Sequence, residues 1–307
     1  MAESCVQCPR VCGADRSRGR GFCGASEEIR LSRASLHRWE EPCISGERGS
    51  GTLFFNGCNL RCVFCQNREI SHGEAAGVAV TEEELVEIML QLQEEGAHNV
   101  NLVTPTPYAL QLIPVLQKVR SRLKIPVVYN CGGYESVETL RALEGLVDVY
   151  LPDCKYYSPK LSELYSAAPD YFSVAMEALT EMLRQTGAPQ MGEDGLLKKG
   201  VMVRHLVLPA CREDSIEVLE QLCTRFGNRA FLLSLMSQYT PVFAAKDAPK
   251  SLQRRVTSFE YDKVLEKAVE LDFQGYLQQR SSATADYTPN FSTEGVRTVT
   301  ERISGKS

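Results

Sequence analysis

From about residue 50 onward, short runs of apolar and β-branched residues alternate with longer stretches whose apolar positions recur at helical spacing. Six runs read as strands: 52–58 (TLFFNGC), 99–105 (NVNLVTP), 126–132 (PVVYNCG), 147–153 (VDVYLPD), 201–209 (VMVRHLVLP) and 231–239 (FLLSLMSQY). Two of the intervening helices announce their starts. Thr81 with Glu84, and Thr257 with Glu260, have the Thr-x-x-Glu spacing of a capping box, and Gly96 ends the first helix. Strands that alternate with helices predict βα units on a parallel sheet. Six units fall short of a closed eight-fold barrel, so the expected fold is α/β, a partial (β/α)6 TIM-like barrel, curved and partly open. Its functional groups are expected at the C-terminal strand ends.

The pattern divides the chain into a cysteine-rich segment with little periodicity (1–50), the barrel (51–275) and a polar, loose tail (276–307) with a weak late aromatic pair. Residues 187–200 (GAPQMGEDGLLKKG) read as a hairpin or lid before the fifth strand.

Composition narrows the class. The chain has 307 residues, 43% of them hydrophobic, which suffices for a buried core. No basic patch followed by an apolar run opens the chain, and no run approaches the roughly 18 apolar residues of a membrane span, so a cytoplasmic protein is expected. A net charge of −5 gives no electrostatic footprint for nucleic acid, and RSRGRG at 16–21 reads as a solvated loop. Of 12 cysteines, eight lie within the first 65 residues. In a reducing compartment that clustering points to metal or redox chemistry rather than disulfides.

Cys58, Cys62 and Cys65 are the tightest group, expected at and just beyond the end of the first strand. A structural zinc ion wants four ligands in closed pairs, and no nearby cysteine or histidine is spaced to be the fourth, His72 being the nearest candidate. A 4Fe-4S cluster usually takes four cysteines, so three would leave one iron open.

The segment CNLRCVFC, with its C-x3-C-x2-C spacing and Phe64 before the third cysteine, resembles the signature of the radical S-adenosylmethionine (radical SAM) superfamily. The ordered set EPCISGERGSGTLFFNGCNLRCVFCQN, NLVTPTPY, YNCGGYE, VDVYLPDCKYY, VRHLVLP and MSQYTP is similar to pyruvate formate-lyase activating enzyme homologues with an extra cysteine-rich N-terminus. The resemblance implies a 4Fe-4S cluster on Cys58, Cys62 and Cys65 that chelates S-adenosylmethionine and reductively cleaves it to a hydrogen-abstracting 5'-deoxyadenosyl radical. It also implies an electron donor such as flavodoxin or ferredoxin.

The same resemblance places cofactor-binding residues at strand ends. Phe64 would lie near the adenine. Thr104 and Thr106 stand where related enzymes hold the amino group, although the usual Gly-Gly-Glu is absent. Asn130, with Gly132 and Gly133, replaces an Asp-Thr-Asn-Gly, and Cys131 adds an unassigned thiol. Asp153 and Lys155 match an Asp-x-Lys and, two apart on a strand, would share a face and compensate each other. Strand alternation lets only one of Arg204 and His205 line the barrel; Arg204 matches a family arginine near the cofactor, and His205 reads as a packed, neutral histidine. Gln238 and Tyr239 are candidates for the adenine or ribose.

Cys5, Cys8, Cys12 and Cys23 form C-x2-C-x3-C-x10-C in a segment too poor in apolar residues to fold unaided, the usual setting of a metal site. Zinc and a second iron-sulfur cluster both fit. Cys43 is a candidate substitute ligand, reactive thiol or buried residue; Cys154, Cys211 and Cys223 read as buried. Three functions follow: an activase that abstracts hydrogen from a glycyl radical enzyme, a radical lyase or mutase acting on a small molecule such as a modified nucleobase in salvage, and a non-catalytic metal scaffold. The scaffold leaves the placement of the three-cysteine site atop a barrel unexplained.

Overall fold

The structure, a computed structural model, describes residues 4–73, 77–278 and 291–303. Ten strands form its sheet: β1 (Arg30–His37), β2 (Ser50–Phe55), β3 (Val78–Ala79), β4 (Val100–Val103), β5 (Val127–Cys131), β6 (Val149–Pro152), β7 (Gln190–Met191), β8 (Leu197–Leu206), β9 (Leu232–Met236) and β10 (Gly275–Leu277). The order is β10-β9-β8-β6-β5-β4-β2-β1-β3, with β7 paired to β8, and the ends do not close. All six expected strands are present as the parallel run β2, β4, β5, β6, β8 and β9, and β10 extends it. This is the open, partial barrel that the βα alternation predicts.

Both capping boxes are formed. Thr81 Oγ1 accepts from the Glu84 N–H at 3.2 Å while Glu84 returns to the Thr81 N–H at 2.8 Å, opening the helix Glu82–Glu94. Thr257 and Glu260 repeat the arrangement at the helix Ser258–Glu270. Such helices bury one face; Leu85, Val86, Ile88 and Met89 of the first pack into the main core.

Strand parity divides inside from outside. Tyr129, Tyr150, Val201 and Val203 belong to the core beneath the helices. Val128, Val149, Leu151 and Met202, on the opposite face, form a second cluster inside the bore. Cys43 and Ile44, from the short helix Pro42–Ser45, are each 1% exposed and fill the bore among these residues. Asn99 Nδ2 donates to the Ile44 carbonyl at 2.7 Å and fixes this plug. Cys43 is therefore a buried packing residue.

Three expectations need correction. β2 ends at Phe55, so Cys58 lies in the loop beyond it; Gly57, at φ +87°, turns the chain out of the strand. Residues 187–200 do form a hairpin, β7 with β8, but it precedes Gly200, which pairs with Val149 at the start of β6. It therefore sits at the N-terminal end of the barrel and cannot cover the mouth. Lastly, β1 was not predicted. It pairs antiparallel with β2 and buries Leu31 and Ala34. In the tail, β10 and the helix Val296–Ile303 are ordered, with Val296 and Val299 buried, whereas 279–290 and 304–307 lie outside the described residues.

Candidate active site

A cleft of about 200 Å³ opens at the C-terminal ends of the strands. Cys58, Cys62 and Cys65 line one side of it. Their loop leaves β2 through Gly57 and is pinned by backbone hydrogen bonds, Arg61 N–H to Ser166 and Val63 N–H to Tyr165. Local donors serve the sulfurs: the Leu60 N–H reaches Cys58 Sγ at 3.4 Å, and Ser166 Oγ lies 3.0 Å from Cys62 Sγ. Burial, and then the neighbouring Cys62 sulfur, push the Cys58 thiol upward. Crowded thiols of this kind repel one another as thiolates, and a bound cationic centre relieves that repulsion. Among the described residues no three cysteines, histidines or acids surround a single-ion position. Phe64, 9% exposed, meets Tyr165 and Tyr239 edge-on at 6.4 and 6.1 Å and supplies an apolar wall.

The opposite side is a charged network. Arg204 Nε donates to Asp153 Oδ1 at 3.0 Å, Lys155 Nζ to Asp153 Oδ2 at 2.5 Å, and Arg204 Nη2 to Asn130 Oδ1 at 2.6 Å. Burial raises the Asp153 carboxyl, but Lys155 and Arg204 outweigh it and hold the group below the usual carboxylate range. Burial disfavours the Lys155 ammonium, and Asp153 more than offsets that, so its net shift is upward. Both groups are ionised at neutral pH. Thr104, at φ +58°, closes β4 with its N–H on the Asn130 carbonyl at 2.8 Å.

Ten of the expected cluster and cofactor residues line this one cleft: Cys58, Cys62, Cys65, Phe64, Thr104, Asn130, Asp153, Lys155, Arg204 and Gln238. Cys131 and Tyr239 join them. Thr106 does not; it is buried and donates to Glu135 at 2.8 Å. His205 points away from Arg204, its Nδ1 2.6 Å from the Cys154 carbonyl, and burial lowers its pKa to about 4, which keeps it neutral. Cys154 and Cys211 are buried, and Cys223 is half-buried. Cys5, Cys8, Cys12 and Cys23 lie outside the cleft lining.

One residue escaped the sequence reading. Glu40, between β1 and the plug helix, reaches into the bore beneath Arg204. Its Oε1 accepts from Asn101 at 3.1 Å and its Oε2 lies 3.5 Å from Arg204 Nη1. Burial pushes its carboxyl up to about 7, with Arg204 pulling the other way. His37 and Trp39 of the same segment also line the cleft.

Residues 52–192 match the family model of the radical SAM superfamily. The uncharacterized protein MJ0674 of Methanocaldococcus jannaschii is 32% identical over 276 residues, 87% of this chain and 74% of its own. Residues 52–192 are a radical SAM superfamily domain. The FeFe-hydrogenase maturase HydG from Carboxydothermus hydrogenoformans shares the fold, with a TM-score of 0.51 at 13% identity over 77% of this chain. This radical SAM protein spans only 56% of that maturase. A radical SAM methyltransferase from Sphaerobacter thermophilus aligns over 75% of this chain and 66% of its own at TM-score 0.49 and 12% identity. Radical SAM proteins use a 4Fe-4S cluster and S-adenosylmethionine, and the cleft of this one contains the chemical groups those cofactors require.

Proposed function

We propose that this radical SAM enzyme holds its 4Fe-4S cluster on Cys58, Cys62 and Cys65 and S-adenosylmethionine on the facing strand ends, and abstracts hydrogen from a small polar substrate. When bound, the cluster and S-adenosylmethionine supply a 5'-deoxyadenosyl radical. The residues supply position and charge. Arg204, Lys155, Asp153 and Asn130 offer the donors and acceptors that a zwitterionic amino-acid end needs, and fixed charges in a shielded cleft act strongly on a charged ligand. Phe64 and Tyr239 offer an apolar wall for the adenine, with the Gln238 amide beside them.

The observation that carries the substrate class is Glu40. A carboxyl group inside the bore, within 3.5 Å of Arg204 and Asn130 but absent from the expected cofactor set, is costly to bury. It gives a substrate amine, amide or hydroxyl a partner on the floor of the cleft. An enzyme working only on a protein loop at the rim has no use for such a floor.

A second reading, the activase, draws on the order of motifs resembling the pyruvate formate-lyase activating enzyme homologues, and on the hairpin at the far end of the barrel, which leaves the mouth uncovered by that segment. The two readings separate in one experiment. Anaerobic enzyme, reductant and S-adenosylmethionine are mixed with extract from deuterium-grown cells, split into macromolecular and small-molecule fractions, and deuterium is read in 5'-deoxyadenosine. Label from the small fraction is expected; label from the macromolecular fraction alone overturns the small-molecule reading.

A further inference from the structure

Residues 4–29 contain no helix or strand. Up to residue 24 the larger apolar side chains face outward: Val6 is 59% exposed, Val11 62% and Phe22 38%. The buried side chains there are Gln7, Cys8, Arg16 and Cys23, and the apolar anchors Ala25 and Ile29 come only afterwards, so apolar packing alone does not explain the order of residues 4–24.

The sulfurs gather in one place. A Cβ added at Gly21 would lie 3.4 Å from both Cys12 Sγ and Cys23 Sγ, and the Cys5 thiol is a hydrogen-bond partner of Cys12. Cys5 also lies within electrostatic reach of Cys8 and Cys23. The chain aims amides at these sulfurs with a constant offset. Arg10 N–H serves Cys8, Ala14 N–H serves Cys12 and Ala25 N–H serves Cys23, each two residues on. Leu60 N–H serves Cys58 in the same way. Backbone N–H groups aimed at cysteine sulfurs are the donors that a metal-bound sulfur accepts from.

We propose that Cys5, Cys8, Cys12 and Cys23 hold a second, four-thiolate metal centre, and that this centre braces the loop carrying Cys58. The shared ligand chemistry is that of a zinc ion or an iron-sulfur cluster. Among the described residues no single-ion position is closed by three such groups, so a zinc ion requires the sulfurs to draw together, whereas a cluster accepts wider spacing. The brace is visible around it. The Cys23 carbonyl accepts from the Cys58 N–H at 3.0 Å. Arg10 Nε donates to the Asn59 carbonyl at 2.8 Å, and its guanidinium lies 4.4 Å from the Phe22 ring and 5.1 Å from that of Tyr134. Gln7 reaches the Pro107 carbonyl at 2.6 Å. The segment thus joins the loops after β2, β4 and β5.

The test counts metal in the full chain, prepared anaerobically with ferrous iron and sulfide or with zinc alone. A triple variant, Cys58→Ser, Cys62→Ser and Cys65→Ser, is expected to retain zinc, or iron with sulfide; the metal retained identifies the centre. A Cys5→Ser, Cys12→Ser double variant is expected to lose that metal. A triple variant free of both metals overturns the proposal, as does a double variant with its full complement. Folding is controlled without mutation by alkylating the wild type. Cys12 is exposed, yet ligation should slow its reaction with iodoacetamide by roughly tenfold or more until a chelator is added. Reaction at the free-thiol rate in loaded protein overturns the site. Should the wild type lack any cluster signal that S-adenosylmethionine perturbs, the catalytic reading fails while this one stands.

Discussion

The amide of Cys58 donates to the carbonyl of Cys23 at 3.0 Å, joining the first cysteine of the cleft loop to the last cysteine of the N-terminal set. Gly57, just before Cys58, makes this approach possible: a Cβ there would lie 2.6 Å from the Cys23 oxygen, and its φ is +87°. Gly57→Ala is therefore expected to destabilise the protein by at least about 1–3 kcal/mol from backbone conformation alone, and to lower iron retention at the cleft. Denaturant titration and iron analysis under anaerobic conditions check it; unchanged values on both would contradict the tight junction.

Cys58→Ala should abolish reductive formation of 5'-deoxyadenosine by anaerobically reconstituted protein. Undiminished formation, read by chromatography, would sink the assignment of the cluster to this loop.

Asp153 is the counter-charge of two half-buried cations, and Asn in its place keeps the shape but not the charge. Removing one partner of a fully buried pair costs about 3–5 kcal/mol, and the solvent access of a cleft lowers that to roughly 1–3 kcal/mol. Asp153→Asn should lose stability of that order and bind S-adenosylmethionine more weakly, as calorimetry would show. A loss under about 0.5 kcal/mol, the range of an ordinary surface change, would mean that the network is not the coupled, half-buried one described here.

Glu40 makes stability depend on pH. Its folded pKa is raised from 4.5 to about 7, so the unfolded chain releases the proton first. The stability it contributes is full below about 4.5 and is lost as pH rises through 7. Glu135, raised to about 7 by burial, acts in the same sense. Wild-type stability should fall between pH 5 and 8, and Glu40→Gln should flatten part of that slope, on the order of 1–3 kcal/mol across the window. Identical slopes in denaturant midpoints would show that Glu40 is not buried as described.

Periodicity exposed what repeats. β-branched runs located six parallel strands, and the Thr81 and Thr257 boxes located two helix starts, because those signals are local. β1 escaped because Arg30, Ser32, Arg33 and Ser35 interrupt its apolar positions and its ladder carries a register shift between Leu31 and Arg33. β10 is only three residues long. Strand alternation allowed only one of Arg204 and His205 to face the cleft, and the resemblance chose Arg204, which lines it. Glu40 was illegible for another reason: it reaches the bore only because the segment after β1 folds under the barrel, a tertiary event that no spacing in EEPC records. Thr106 misled for the opposite reason, since its neighbour Thr104 takes the cleft position and leaves it facing Glu135.

The plug of Cys43 and Ile44 has a kinetic meaning. With the lower bore filled, the described residues leave no route through the floor of the cleft, so traffic is confined to the side of the C-terminal strand ends. Substrate, cofactor and products then share one passage, and a molecule seated deep beside Glu40 stays there until whatever lies above it has departed. Turnover becomes a matter of queueing, with first in being last out.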